Sequence, residues 1–257
     1  MKNHIKRITL AICCITLLSI YSGCSVKTQT NWTGITGIKI PWGDYEEAVY
    51  KYTANGKVTD DVKFIIEKLE QQGRLVYEMR TPIMLKEGEY VTGAVVDYET
   101  LKPLSSFVWR HPPEQYKDKK LDITGKYGDK LEIEAVSAKN TQKMKVNLKG
   151  ECVDNESSVM TIRALPLETG YKKAMNLCII STAKNVPYEI IVKDKEKVTV
   201  PFGNIECFKC EFRYKGILPS STITLWYSAD DKKHLIKYEN GATIFELKSI
   251  KYEKSGE

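Results

Sequence analysis

Histidine is almost absent from this chain. Its 257 residues contain three, and beyond the N-terminal segment only His111 and His234 remain. They stand alone, His111 in Arg110-His111-Pro112-Pro113 and His234 behind Asp230-Asp231-Lys232-Lys233. No two-histidine metal spacing exists, and no metal is expected. No Gly-x-Ser-x-Gly elbow occurs, and neither histidine is tied by spacing to a serine or cysteine. Both read as solvent-exposed turn residues. Gly34 and Gly37 do not make a dinucleotide or phosphate loop, and the reading carries no cofactor and no catalytic residue. Runs of serine, proline or one sign of charge are also missing, which leaves no internal linker. Lysine greatly outnumbers arginine, and Lys117, Lys119, Lys120, Lys193, Lys195 and Lys197 are mixed with acids. That pattern is a solvated face and not a nucleic-acid footprint.

Long apolar runs are missing too, with one exception. Lys2, Lys6 and Arg7 precede Ile8 to Ile20, and Tyr21-Ser22-Gly23-Cys24 follows. A basic start, an apolar middle and small residues at a cut site make a secretory signal. The run is about thirteen residues, short of the roughly twenty that a bilayer-spanning helix needs. Cysteine directly after Ser22-Gly23 is similar to the bacterial lipobox, with Tyr21 where leucine is usual. The expectation is a signal peptide over 1–23, acyl chains on Cys24, and an extracytoplasmic protein held at the cell membrane by that lipid. Residues 24–43 are expected to form the lipidated start and tether, with the polar stretch Ser25 to Asn31 in it, and 44–257 a β-rich domain.

Of seven cysteines, Cys13 and Cys14 leave with the signal. Cys152, Cys178, Cys207 and Cys210 stay in the body, where export permits disulfides but sequence does not give their state. Cys207-Phe208-Lys209-Cys210 has the spacing of a redox or zinc pair. Residues three apart on a strand point to opposite sides. Strand parity over Glu206 to Tyr214 therefore sets Cys210 on the face of Phe208, Phe212 and Tyr214. It sets Cys207 with Lys209, Glu211 and Arg213, and Cys210 is expected to be the more buried.

From Asp44 onward the chain is written in strands. Glu46 to Thr53 ends in Ala54-Asn55-Gly56, and Asn-Gly is the strongest short hairpin signal. Leu75, Tyr77 and Met79 alternate with polar residues after Gly73. Leu121 to Tyr127 and Lys130 to Val136 flank Gly128-Asp129, with Leu131, Ile133 and Ala135 on one face. Met144, Val146 and Leu148 repeat the scheme. Asp60 to Gln72 fits both helical and strand spacing, and the Gly73 turn favours a hairpin. Asp154 to Leu165 predicts a short helix, capped by Asp154 or Asn155 and stopped by Pro166. One-sided alternation with regular turns means antiparallel strands in a barrel, half-barrel or sandwich.

Two residue classes are left for chemistry. The carboxylates Asp97, Glu99, Asp154, Glu156, Asp230 and Asp231 mostly occupy turns or a helix start, where they serve backbone hydrogen bonds. The aromatics Trp109, Trp226, Tyr227, Tyr214 and Tyr238 lie on strands, where cross-strand packing is their ordinary work. In a barrel that does not fill, they would line an apolar cavity.

Asp97-Tyr98-Glu99-Thr100-Leu101-Lys102-Pro103, Asp154-Asn155-Glu156, Arg163-Ala164-Leu165-Pro166-Leu167 and Val200-Pro201-Phe202-Gly203-Asn204-Ile205-Glu206-Cys207 form an ordered set. Leu225-Trp226-Tyr227-Ser228-Ala229-Asp230-Asp231 and Phe245-Glu246-Leu247-Lys248-Ser249-Ile250 complete it. In this order they resemble an uncharacterised family of exported, β-rich bacterial proteins, domain of unknown function 3108. The resemblance runs from about Tyr45 to Tyr252 and brings no activity. It implies a curved antiparallel sheet like that of lipoprotein carriers. The fold expected is mainly β: one curved antiparallel sheet forming a barrel or half-barrel, with one short helix. The function expected is non-enzymatic binding of a lipid or other amphiphile, at Trp109, Trp226, Tyr227, Tyr214 and Tyr238. The rival is a structural or assembly lipoprotein whose sheet surface binds envelope proteins; an envelope hydrolase ranks last.

Overall fold

The computed structural model describes residues 32–85, 88–215 and 222–253; Cys24 and the signal lie outside them. The first strands are β1 (Trp32–Thr33), β2 (Tyr45–Ala54), β3 (Lys57–Val58), β4 (Val62–Gln71), β5 (Arg74–Leu85) and β6 (Gly88–Asp97). After them come β7 (Pro103–His111), β8 (Leu121–Tyr127), β9 (Lys130–Ser137), β10 (Thr141–Asn147) and β11 (Gly150–Asp154). A helical passage from Asn155 to Ala164 follows, with α1 (Ser158–Thr161) between single 3-10 turns. The remaining strands are β12 (Lys172–Ile179), β13 (Lys184–Val200), β14 (Gly203–Tyr214), β15 (Thr222–Ser228), β16 (Leu235–Asn240) and β17 (Thr243–Lys251).

Almost every strand pairs with its neighbour in sequence, antiparallel. From β4 the ladder runs to β10, and from β12 it runs to β17. The two halves join where β17 lies antiparallel to β2, which also pairs with β4. Parallel pairings occur only at the far end, where β11 lies beside both β12 and β1. Among the described residues β10 and β1, the two outermost strands, do not pair, so the sheet curls without closing into a barrel.

Local chemistry explains the turns. Asn55 and Gly56 have φ of 51° and 74°, and Gln72 and Gly73 have 55° and 74°. Two consecutive residues at positive φ make the two-residue turn whose twist suits a hairpin. Asp60 to Gln72 thus contributes a strand, β4, and not a helix. Asp154 caps the helical passage, accepting from the Glu156 backbone N–H at 2.8 Å, and Pro166 follows its end.

The curl encloses two cores. The larger lies between β2, β4 and β5 on one side and β12 to β17 on the other, with Met160, Ile162, Ala164 and Leu165 of the helical passage inside it. The smaller lies between β7 to β9 and the β11–β12 end, around Val108, Ile123, Leu131, Ile133 and Ile180. Residues 32–43 are part of this body, because Trp32, Ile35 and Trp42 are buried in the two cores. The packed domain therefore starts ahead of Asp44.

Two expectations fail, each for a visible reason. Cys207 and Cys210 are both 0 % exposed, whereas parity set Cys207 on the wet face. The β13–β14 register shifts between Val192 and Lys195. The extra residue there lies in β13, while β14 pairs with β15 without a shift; Cys207 is therefore not turned round but covered where it stands, as a member of the larger core with Cys210 and Phe212. His234 is buried at 7 % exposure, because the turn before it folds onto Arg163 and Glu46. The other histidine, His111, is exposed, with its Nε2 2.8 Å from Asp122 Oδ1.

Candidate functional site

Two of the concavities that the sheet leaves among the described residues bear on function. One is a cavity of about 210 Å³ at the end of the larger core. Phe212 and Tyr188 form one wall, their rings 4.5 Å apart. Tyr238, Phe245 and Phe64 form the other, with 5.0 Å between Tyr238 and Phe245 and 5.7 Å between Phe64 and Phe245. Strand alternation sets these side chains inward, and cross-strand pairing brings Tyr238 opposite Phe245. Thr92 of β6 and Asn155 and Glu156 of the helical passage close the third side. Glu156, Asn155, Tyr188, Tyr238 and Phe245 are only half-buried, so the cavity opens to solvent.

The other concavity is a shallow trough of about 760 Å³ on the outer face of β7 to β10. Phe107 and Trp109 stack there at 4.2 Å. Its charges neutralise one another, Lys143 with Glu134 at 3.2 Å and Lys145 with Glu132 at 2.5 Å.

The five aromatics named from sequence are thereby separated. Trp109 borders the outer trough and is 38 % exposed. Trp226 is buried at 7 % exposure beneath Lys209 and Lys237, and its Nε1 donates to Glu196 Oε1 at 2.5 Å. Tyr227 is wholly buried and donates to the Val159 carbonyl at 2.7 Å. It fills the core and lines nothing. Tyr214 is half-buried beside Tyr188, at 5.8 Å between rings, and only Tyr238 borders the inner cavity.

Sequence reasoning missed two buried polar groups. In the first, Arg163 Nη1 donates to Glu46 Oε1 at 2.5 Å and Nη2 to Oε2 at 3.1 Å, both residues 3 % exposed. Arg163 also donates to the carbonyls of Lys232 and Lys233, and its Nη2 lies 3.1 Å from His234 Nδ1. The His234 ring lies between this pair and Tyr252, with Nδ1 3.5 Å from Glu46 Oε1 and Nε2 2.9 Å from the Tyr252 hydroxyl. Burial alone would raise the Glu46 carboxyl, but the Arg163 charge overcomes it and holds the acid at about 2. This assembly clamps the helical passage to β2 and the β15–β16 turn. One signal for it was legible: Arg163 stands alone in the apolar run Val159 to Leu167.

The second group surrounds the cavity floor. Asp154 is fully buried, and burial, with the nearby Glu156 charge, pushes it up to about 7. The Tyr127 hydroxyl donates to it at 2.5 Å. Burial also raises Glu156, whose carboxyl takes hydrogen bonds from the Asn155 amide at 2.9 Å and from Thr92. Asp97 and Asp230 serve their turns as expected, accepting from the backbone of Thr100 and of Lys232 and Lys233. Among the described residues no group of three or more histidine, cysteine, aspartate or glutamate side chains is placed to hold a metal, and no helix is long and apolar enough to cross a membrane.

Comparison with solved structures places the fold. A β-barrel-like protein of domain of unknown function DUF1849 from Brucella abortus superposes with a TM-score of 0.51 at 10% identity, over 83% of this chain and 99% of that one. A proposed exported protein with a YmcC-like fold from Bacteroides fragilis gives 0.31 at 10% identity, over 84% and 99% of the two chains. A proposed lipoprotein from Parabacteroides distasonis gives 0.32 at 11% identity, over the same shares. The first supports a barrel-like fold; the other two are too remote to support any argument. No curated relative matches the sequence significantly. The model of the family described as "Protein of unknown function (DUF3108)" matches residues 44–244, and the chain belongs to that family.

Proposed function

We propose that this protein is a lipid-anchored, extracytoplasmic binding module of the cell envelope that takes up part of an amphiphile in its inner cavity, without catalysing a reaction. The observation that carries the reading is the unfilled end of the larger core. Elsewhere that core is packed solid, with Tyr227, Met79, Leu101 and Ile190 each under 2 % exposed. An unfilled, aromatic-lined opening with few polar groups is the usual character of a ligand site. Its 210 Å³ falls below the roughly 300–1,000 Å³ of a site for a whole drug-sized ligand. It therefore suits a head group or a chain end, with the rest of the molecule outside. The Ser22-Gly23-Cys24 sequence supports the anchor and the location.

A blocking variant tests this. Val159→Phe places a ring in the cavity, while Trp109→Ala alters only the outer trough. Organic extraction of the purified mature protein, followed by mass spectrometry, should recover an amphiphile from the parent and from Trp109→Ala but not from Val159→Phe. Recovery from no form, with Val159→Phe folded, would sink the proposal. The outer trough favours one rival reading, a face for another envelope protein, since it is broad, partly apolar and self-neutralised. In that case Trp109→Ala would abolish co-purification of a protein partner and leave extraction unchanged.

A further inference from the structure

We infer that the inner cavity is a receptor for a cationic ammonium head group, so that the amphiphile it binds carries a positive charge at Glu156. This rests on the cavity being the ligand site. The argument begins with how the fold treats its interior acids. Glu46 has Arg163, Glu67 has Arg80 at 3.2 Å, and Glu47 has Lys63 at 3.2 Å. Asp154 has the Tyr127 hydroxyl instead of a charge, and it is sealed off from solvent. Glu156 differs from all of these. Its bonds come from neutral groups, Asn155 and Thr92, no cation among the described residues stabilises it, and it borders an opening. A carboxylate partly withdrawn from water and without a cation bears a desolvation cost, and a cation brought beside it offsets that cost.

The opposite walls supply the second requirement. Phe64, Tyr188, Phe212, Tyr238 and Phe245 present rings on two sides of the same cavity. A ring face attracts a cation through its quadrupole, and the attraction grows when water is displaced. Ring faces with a single carboxylate are complementary to an ammonium or alkylated ammonium group. They are poorly suited to a carboxylate or phosphate, which Glu156 would repel. The small volume agrees, since an ammonium head fits where a whole lipid does not. Glu156 would then gain from the ligand the charge that Arg163 gives to Glu46.

Calorimetric titration of the full mature chain carrying Cys24→Ser provides the test, with dodecyltrimethylammonium, dodecanoate and a neutral dodecyl glycoside, each below its micellar concentration. Dodecyltrimethylammonium should bind about tenfold or more tighter than the other two. Glu156→Gln should remove that preference and leave the glycoside affinity unchanged. Tyr238→Leu, which keeps apolar bulk but removes a ring, should weaken the cation alone and serves if Glu156→Gln does not fold. Tetramethylammonium distinguishes a tailed ligand from a free small cation and should bind at least about tenfold more weakly than its dodecyl form. Equal binding of the three dodecyl compounds, or a preference for dodecanoate, overturns the cationic head while leaving the cavity as the site. Binding of none overturns the site itself. Equal affinity for tetramethylammonium overturns the amphiphile.

Discussion

Glu46→Gln is the sharpest test of how this fold is held together. The substitution keeps the shape and removes the charge that faces Arg163 in a pocket where both are 3 % exposed. The acid stands at about 2 in the folded protein against 4.5 unperturbed. At about 1.4 kcal/mol per unit, that difference corresponds to about 3 kcal/mol of stability. Breaking one partner of a buried pair typically costs about 3–5 kcal/mol, because the other charge is left uncompensated. The two figures agree, and for a domain of this size they mean a melting temperature lower by about 6–20 °C. The pH dependence has a definite sign. A carboxyl lowered by folding stabilises fully above its unfolded value, here 4.5, and loses that contribution as pH falls through about 2. Thermal melts followed by circular dichroism at pH 7 and in steps down to pH 2 should show this acid-side loss in the parent and not in Glu46→Gln. The pair Glu46→Gln with Arg163→Met should be less damaged than the sum of its parts. A Glu46→Gln protein within about 1 kcal/mol of the parent, with the parent's acid-side slope intact, would refute the clamp.

Four other outcomes are open to measurement. Asp154, raised to about 7 from 3.8, binds its proton more tightly when folded, so this group's contribution is greatest below about pH 4 and falls as pH rises toward 7; Asp154→Asn should flatten that limb of a urea-stability profile, and an unchanged limb would count against the assignment. In Gly93→Ala the new Cβ would lie 2.5 Å from Phe107 Cζ and 2.6 Å from the Met79 carbonyl oxygen; since the backbone cannot yield, urea titration should show a loss of about 1–3 kcal/mol, and a loss under 0.5 kcal/mol would contradict it. Burial pushes Cys207 and Cys210 up to about 12, so a maleimide at pH 8 should label neither in the native protein and both in urea; rapid native labelling of either would be the contrary result. Cys24→Ser should be exported yet leave the membrane fraction after a high-salt wash, because the acyl attachment is gone; retention would disprove the anchor.

Periodicity carried most of the fold. Leu131 and Ile133 between charged neighbours, and Asn55-Gly56 after Glu46 to Thr53, state strand, face and turn within a few residues. Asp154 and Pro166 bracket the helical passage in the same local way. What depends on distant residues was not legible. The packing that covers Cys207 comes from elsewhere in the chain, and nothing in Glu206 to Tyr214 records it. Glu46, Arg163 and His234 meet from three places in the chain, so Arg163 alone in its apolar run pointed to a buried charge without naming its partners, and His234 read as a turn residue. The aromatic signal was real but unselective, since Tyr238, Tyr227 and Trp226 read alike in sequence. Only the sheet's curl sets Tyr238 in a cavity wall while Tyr227 and Trp226 are buried. Glu156 read as an acid suited to a helix start, which it is, and its second position at a cavity needed the opposite strands.

The junction of β2 with β17 sets the order in which this molecule can assemble. Lys51 and Glu246 meet there across 195 positions of chain. Nearly every other ladder is a hairpin that closes over a few residues, at small entropic cost and on a fast timescale. The early meander, β4 to β10, can form as it is synthesised, but β2 keeps one edge bare until the last strand exists. Contacts of such sequence separation slow folding, and an unpaired edge is a template for another chain. The chain therefore has a built-in delay: β2 and β17 cannot join its two halves until β17 has been made. A version ending before Thr243 would retain most of its hairpins but present β2 to the first strand it encounters, including that of another copy.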